Sequence, residues 1–259
     1  LGQAVRLTLR QGWDRIGILM AVSLTWVLLL ALLSAIGSKL PISWPLALRY
    51  GVILAAMALV LPAPLAGAHY VAQLIAQHDE VSYFDMWLGA RRLAGPSIRL
   101  GLIHILVLGL FAANLWFYLH LGGFVGMVAM FLCGYALLFW GMMMSLHYPL
   151  LVAQETGVFD EPERQAKRGA AAVLRRAFFL ALGRPFYTFG LLAIVIPITV
   201  AFAATMALLA LLWAGGVALL TTHGTRLLLI QYGIIPPPPI EEPIPDEKFR
   251  IKAQPADRR

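Results

Sequence analysis

Of the 259 residues, 60% are apolar and only 13% charged, with a mean hydropathy of +0.79, whereas a water-soluble domain carries charge on about a quarter of its residues. The net charge of +7 is spread over loop after loop and forms no single stripe, which excludes nucleic acid as a partner and points to the lipid bilayer. The single cysteine, Cys133, lies in an apolar run and excludes both a disulfide framework and a cysteine pair for a metal.

The chain opens with a basic stretch holding Arg6, Arg10 and Arg15, followed by an apolar run over residues 16–36. No small-residue cleavage site follows, so the run reads as a retained span and not as a signal peptide. Further apolar runs cover residues 51–75, 100–119 and 124–152. Each is long enough to cross a hydrocarbon core of about 30 Å at 1.5 Å per residue. The last run, 186–230, is too long for one crossing, and Ala214-Gly215-Gly216 offers a turn between two helices. One long tilted helix followed by a re-entrant piece would use the same residues and give five crossings. The predicted fold is all-α, a polytopic transmembrane helical bundle of about six spans over residues 1–232. It divides into three hairpins, approximately 1–77, 78–153 and 154–232, and ends in a proline-rich tail over 233–259.

Lysine and arginine accumulate in short cytoplasmic loops. With six spans, eighteen of the twenty basic residues fall on one side and only Lys39 and Arg49 on the other. Both termini are therefore expected in the cytoplasm. Residues 163–182 read as an interfacial amphipathic helix, with Val173, Leu174, Ala177, Phe178 and Leu182 toward lipid and arginines toward anionic headgroups. Tyr83, Phe84, Trp87 and Leu88 before Arg91 suggest a second. Arg91-Arg92 then Gly95-Pro96, and Arg175-Arg176 then Gly183-Arg184-Pro185, give the second and third hairpins a shared form, which either an internal duplication or the chance likeness of hairpins of similar length produces.

Glycines and prolines fit helix packing. Ala63-x-x-x-Gly67 and Gly122-x-x-x-Gly126 let backbones approach, and Pro62, Pro64 and Pro197 are placed to kink their helices. Trp44, Trp116, Tyr118 and Trp213 fall where an outer aromatic belt would lie.

A family resemblance rests on residues 13–30, on Pro62-Ala63-Pro64-Leu65-Ala66-Gly67-Ala68 leading to Phe84-Asp85-Met86-Trp87 and Arg91-Arg92, and on Tyr148-Pro149-Leu150-Leu151. In order and spacing these segments resemble the YesL-like family of small bacterial polytopic integral membrane proteins, over most of residues 10–230. The resemblance implies a multi-pass protein of the bacterial inner (plasma) membrane, of a kind considered alongside sugar uptake systems. It carries over no catalytic residue.

None of the thirteen acidic residues lies in mid-span, which disfavours a carboxylate-driven transporter, because intramembrane ionisable groups mark such pathways. No phosphate loop, His-Glu-x-x-His pattern or paired carboxylates appear, and Ser23, Ser34 and Ser145 lack a base and acid in register, so no enzyme activity and no metal site are expected. His69, His104, His147 and His223 are the candidate cofactor-binding residues, one on each of four spans and all one or two turns from the cytoplasmic end. Facing a bundle interior, neutral imidazoles ligate haem iron or a chlorophyll-type magnesium, with Tyr70, Gln73 and Tyr148 as second partners. The competing assignment is interhelical hydrogen bonding.

The tail begins at Pro236-Pro237-Pro238-Pro239, an extended segment suited to a partner's groove or to solvent. The resulting expectation is an accessory or scaffold subunit whose partners are the bilayer and other membrane protein subunits. The alternatives are a transport-associated component or small-solute permease, and a histidine-ligated cofactor or pigment-binding subunit of an electron-transfer or photosynthetic complex.

Overall fold

The computed structural model describes residues 1–41, 45–77, 79–159, 169–205 and 212–237. Their regular elements are all helices: α1 (Gly2–Asp14), α2 (Ile16–Ser38), α3 (Leu46–Val60), α4 (Pro62–Gln77), α5 (Phe84–Leu121), α6 (Gly123–Glu155), α7 (Ala170–Gly183), α8 (Pro185–Ala204) and α9 (Ala214–Gln231). In hydrocarbon no water satisfies backbone groups, so apolar runs of this length close their hydrogen bonds within themselves. Among the described residues five helical segments are long and apolar enough to cross a membrane: Ile16–Ser38, Gly51–Gln77, Phe84–Leu121, Gly123–Glu155 and Pro185–Phe202. The chain is a multi-pass membrane protein of the all-α class.

The expected sixth crossing takes a different form. Ala214, Gly215 and Gly216 open α9 and make no turn. The expected turn is therefore not at these residues, and 206–211, between α8 and α9, lie outside the described residues. Gly215 is needed for contact, because a Cβ there would come within 2.7 Å of the Leu19 carbonyl oxygen on α2. Its backbone N–H donates to Ser23 Oγ at 3.0 Å, so α2 satisfies one of the orphan donors at the start of α9. Trp213 meets Trp26 edge-on, with centroids 6.2 Å apart, and donates to Thr199 Oγ1 at 3.1 Å. It is half-buried and packs against α2 and α8. Most of α9 is buried, including Leu219, Leu220, Thr221, Thr222, Leu228 and Leu229.

Proline acts unequally along the chain. The second predicted span breaks at Leu61, where Pro62 starts α4. Arg184 before Pro185 has φ −137, the extended bias of a pre-proline residue, and ends α7. Pro96, by contrast, sits inside an unbroken α5 of 38 residues, about 57 Å long. The predicted second interfacial helix is thus the first turns of α5, and the two Gly-Pro approaches do not share one geometry. Asp85 Oδ2 accepts the Ser82 backbone N–H at 2.7 Å and fixes where α5 begins.

The link between α5 and α6 is Gly122 with φ +64, followed by Gly123 with φ +64. That left-handed conformation costs little only without a Cβ. In the same hairpin a Cβ on Gly126 would lie 2.9 Å from the Tyr118 carbonyl, so the predicted close approach is present.

On the two longest helices burial is concentrated at one end. On α5 the buried residues stop at His104, and on α6, apart from Gly126, they start at Met142. This packed end also carries Arg91, Arg92, Arg175, Arg176, Arg184 and Arg226, while the α5–α6 turn carries no lysine or arginine. On α7, Val173 and Ala177 join Leu180 and Ala181 in the protein core beside Leu150 and Leu151, which corrects their assignment to lipid. Phe178 and Leu182 are exposed, as expected. Residues 163–168, Trp44 and 238–259 lie outside the described residues.

The charge bias predicts which face of the membrane each turn occupies. In a Cys133→Ser background, cysteines placed at Ser38 and His120 are expected to react with an impermeant thiol reagent from outside, and one placed at Ala253 only after lysis. External labelling at Ala253 would overturn the arrangement with both termini inside.

Candidate functional site

The packed end contains a seam of buried polar side chains. α4 contributes His69 and, one turn later, Gln73; α5 contributes Ser97 and, two turns later, His104. α6 contributes His147 and Gln154, also two turns apart, and α9 contributes Thr221, Thr222, His223 and Thr225. On α4, α5 and α6 these spacings of four and seven place the polar residues on one face of each helix, whereas most of α9 is buried, so its consecutive Thr221, Thr222 and His223 are enclosed on more than one side.

Three of the four histidines come together. His104 Nε2 and His147 Nδ1 are 2.8 Å apart, and their rings stack with centroids 5.0 Å apart at 18°. With both rings neutral, one proton lies between those nitrogens, donated by either ring. Trp140 stands edge-on to both, with centroids at 5.9 Å and 5.5 Å. His69 stacks on Tyr148 at 5.8 Å and 9°, and its Nδ1 is 3.4 Å from Thr222 Oγ1. Tyr148 also lies 6.1 Å from the His104 ring and so bridges His69 to the pair.

His223 lines a recess of about 300 Å³ between α1 and α9, with Gln3, Gln11, Arg226 and Gln231. Arg226 Nη1 donates to the Ala76 carbonyl. Ala76 is in the last turn of α4, where carbonyls lack helical partners and the dipole favours a cation.

Four polar groups of the seam have a side-chain atom with no hydrogen-bond partner among the described residues. They are His147 Nε2, Trp140 Nε1, Gln73 Nε2 and both amide ends of Gln154. Burying such groups unpaired costs about 1–3 kcal/mol each, so the seam is chemically disposed to hold a small hydrogen-bonding guest. It is less suited to a metal ion between the paired imidazoles. In tetrahedral coordination, metal–nitrogen bonds of about 2.0–2.1 Å hold two ligand nitrogens about 3.3 Å apart, wider than the 2.8 Å seen. Among the described residues no three His, Cys, Asp or Glu side chains form a group able to hold a metal.

Sequence reasoning singled out the histidines but missed Trp140, Gln154, Thr222 and Arg226. Trp140, His147 and Gln154 are spaced by seven, as are Ser97 and His104, and that periodicity was the available signal. Of the expected second partners, Tyr148 contacts His69 and His104. Tyr70 packs instead where a Cβ on Gly89 would stand. No protein-family model matches the sequence, and neither the curated proteins nor the solved structures contain a match.

Proposed function

We propose that the chain is a non-enzymatic integral membrane accessory or scaffold subunit, which joins a larger membrane protein complex through the outer half of its α5–α6 hairpin. The observation that supports this is the division of the molecule into a packed end and an unpacked hairpin. Between residues 105 and 141 only Gly126 is buried. Leu106, Trp116, Phe124 and Phe131 are each exposed over most of their surface. A Cβ built on Gly109 or Gly134 would meet nothing within 4 Å. Small residues on open transmembrane faces permit close approach of a second helix, which is how packing drives association where lipid cancels the hydrophobic effect. The bacterial inner-membrane setting and YesL-like kinship belong to the same proposal.

The test is purification from native membranes in mild detergent, with cysteines introduced at Gly109 and Gly134 in a Cys133→Ser background. Cross-links to another membrane protein are expected from both positions, and none from a cysteine at the exposed Leu9 of α1. A monodisperse monomer that cross-links to no protein from either position would overturn the reading.

The second reading is a transport-associated component or small-solute permease. It is favoured by the buried polar seam and by the recess at His223 and Arg226. Solute uptake by proteoliposomes, lost on substitution of Gln73 or Gln154, would select it over the first.

A further inference from the structure

α1 lies across α9. One side of α1 meets the polar recess at His223, Leu227 and Ile230, and its other side meets Gly216, Val217 and Leu220. On that second side, α1, the start of α2, α8 and α9 leave an open crevice of about 290 Å³. Its walls are apolar apart from Thr8 and include Leu9, Trp13, Ile198 and Phe202. We propose that this crevice is a binding slot for one acyl chain of an anionic phospholipid, whose headgroup is held by Arg6 and Arg10.

Small residues on two of its walls leave the slot open. Gly12 on α1 and Gly216 on α9 both line it. A Cβ on Gly216 would meet nothing within 4 Å, so any side chain there would project into open space. An apolar crevice of this size is unfavourable to water, and in a membrane-spanning protein the adjoining solvent is hydrocarbon. A lipid chain is therefore the occupant that the surroundings supply.

The charge pattern selects the headgroup. Arg6 and Arg10 are three residues before and one after Leu9, and seven and three before Trp13, so the four share one side of α1. All four are exposed, Leu9 by 70% and Trp13 by 76%. Asp14 is the one acidic residue on this helix. A tryptophan and two arginines beside an apolar slot form the composition that sits at a headgroup boundary, and the cationic pair complements a phosphate that carries net negative charge. A zwitterionic headgroup would gain less from it.

The experiment is native mass spectrometry of the full chain in non-ionic detergent, titrated with phosphatidylglycerol or phosphatidylcholine of matched chains. One phosphatidylglycerol per chain is expected to survive gentle activation, with at least fivefold preference over phosphatidylcholine. Gly216→Leu is expected to weaken retention at least tenfold by filling the slot. Arg6→Gln with Arg10→Gln is expected to keep retention but equalise the two lipids. A check on the unaltered protein compares phosphatidylglycerol with six-carbon chains to the sixteen-carbon form, which should be held at least tenfold better. Equal retention of the two headgroups by the unaltered protein, equal retention of the short and long chains, or wild-type retention by folded Gly216→Leu would overturn the proposal.

Discussion

Gly67→Val is expected to reduce the yield of folded protein at least tenfold, read by size-exclusion chromatography of the detergent-solubilised chain. Gly67 is buried on α4 where that helix crosses α5. A Cβ there would run into the Met86 carbonyl oxygen and stand 3.1 Å from the Ala90 Cβ. A side chain in the way could rotate aside, but a backbone oxygen moves only with its helix. Overpacking an ordinary core costs about 1–3 kcal/mol, and here the whole α4–α5 contact must open as well. Against a total stability of about 5–15 kcal/mol, the two costs together take a large share of the margin and lower the folded yield. The control is Gly109→Ala on the open stretch of α5, where an added Cβ meets nothing. It is expected to match the wild-type yield or exceed it, because alanine is favoured over glycine in a helix by up to about 1 kcal/mol. Equal yields for the two variants would show that α4 and α5 are not in close contact.

The same contact shows how far the sequence reaches. Ala63-x-x-x-Gly67 announced a close approach, because a small-residue spacing of four says that a helix face is flat. It did not say which helix would arrive, since the partner residues Met86 and Ala90 are ordinary apolar side chains with no distinguishing spacing. Helix existence was legible for a related reason. Long uncharged runs have one stable outcome in hydrocarbon, and each predicted run holds at least one helix. Breaks were less legible, because Pro62 interrupts its span and Pro96 does not, and proline removes a hydrogen bond in both cases. The outcome is set by tertiary contacts: Pro62 sits where a Cβ on Gly101 would stand.

The turn expected at Ala214-Gly215-Gly216 failed on a similar ambiguity. Paired glycines mark either a reversal or a surface that a second backbone touches, and here Leu19 of α2 touches it. Of the candidate site, the histidines were visible as isolated polar residues in apolar runs, which lipid makes conspicuous. Their grouping was not, because it depends on helix rotation and crossing. That His104 and His147 meet follows from the short α5–α6 link, which makes the two helices antiparallel neighbours. That His69 reaches Tyr148 depends on the packing of α4 against α6, which no local pattern encodes.

His104→Phe and His147→Phe are each expected to destabilise the protein by about 1–3 kcal/mol, while the double variant should cost less than the sum. Phenylalanine keeps an aromatic ring edge-on to Trp140 and removes only the nitrogens. A single substitution leaves the other imidazole with a buried nitrogen and no partner, and that unpaired group, more than the lost bond, is the source of the cost. The second substitution removes the unpaired group too. The coupling in a double-mutant cycle is expected at about 0.6–1.7 kcal/mol, the range of interhelical polar contacts in membranes, where the unfolded reference state also finds partners. Thermal unfolding of all four proteins in one detergent reads this. Strict additivity would mean that the 2.8 Å contact does not hold α5 to α6. An absorption spectrum of the same samples separates the cofactor assignment of His69, His104, His147 and His223. A visible band in the wild type that vanishes in either single variant would make the pair ligands of a haem or chlorophyll-type pigment, and the stability loss would then track loss of pigment. Colourless wild-type protein with measurable coupling assigns the pair to holding the two long helices together at the packed end, which leaves their outer halves free for lipid or a partner.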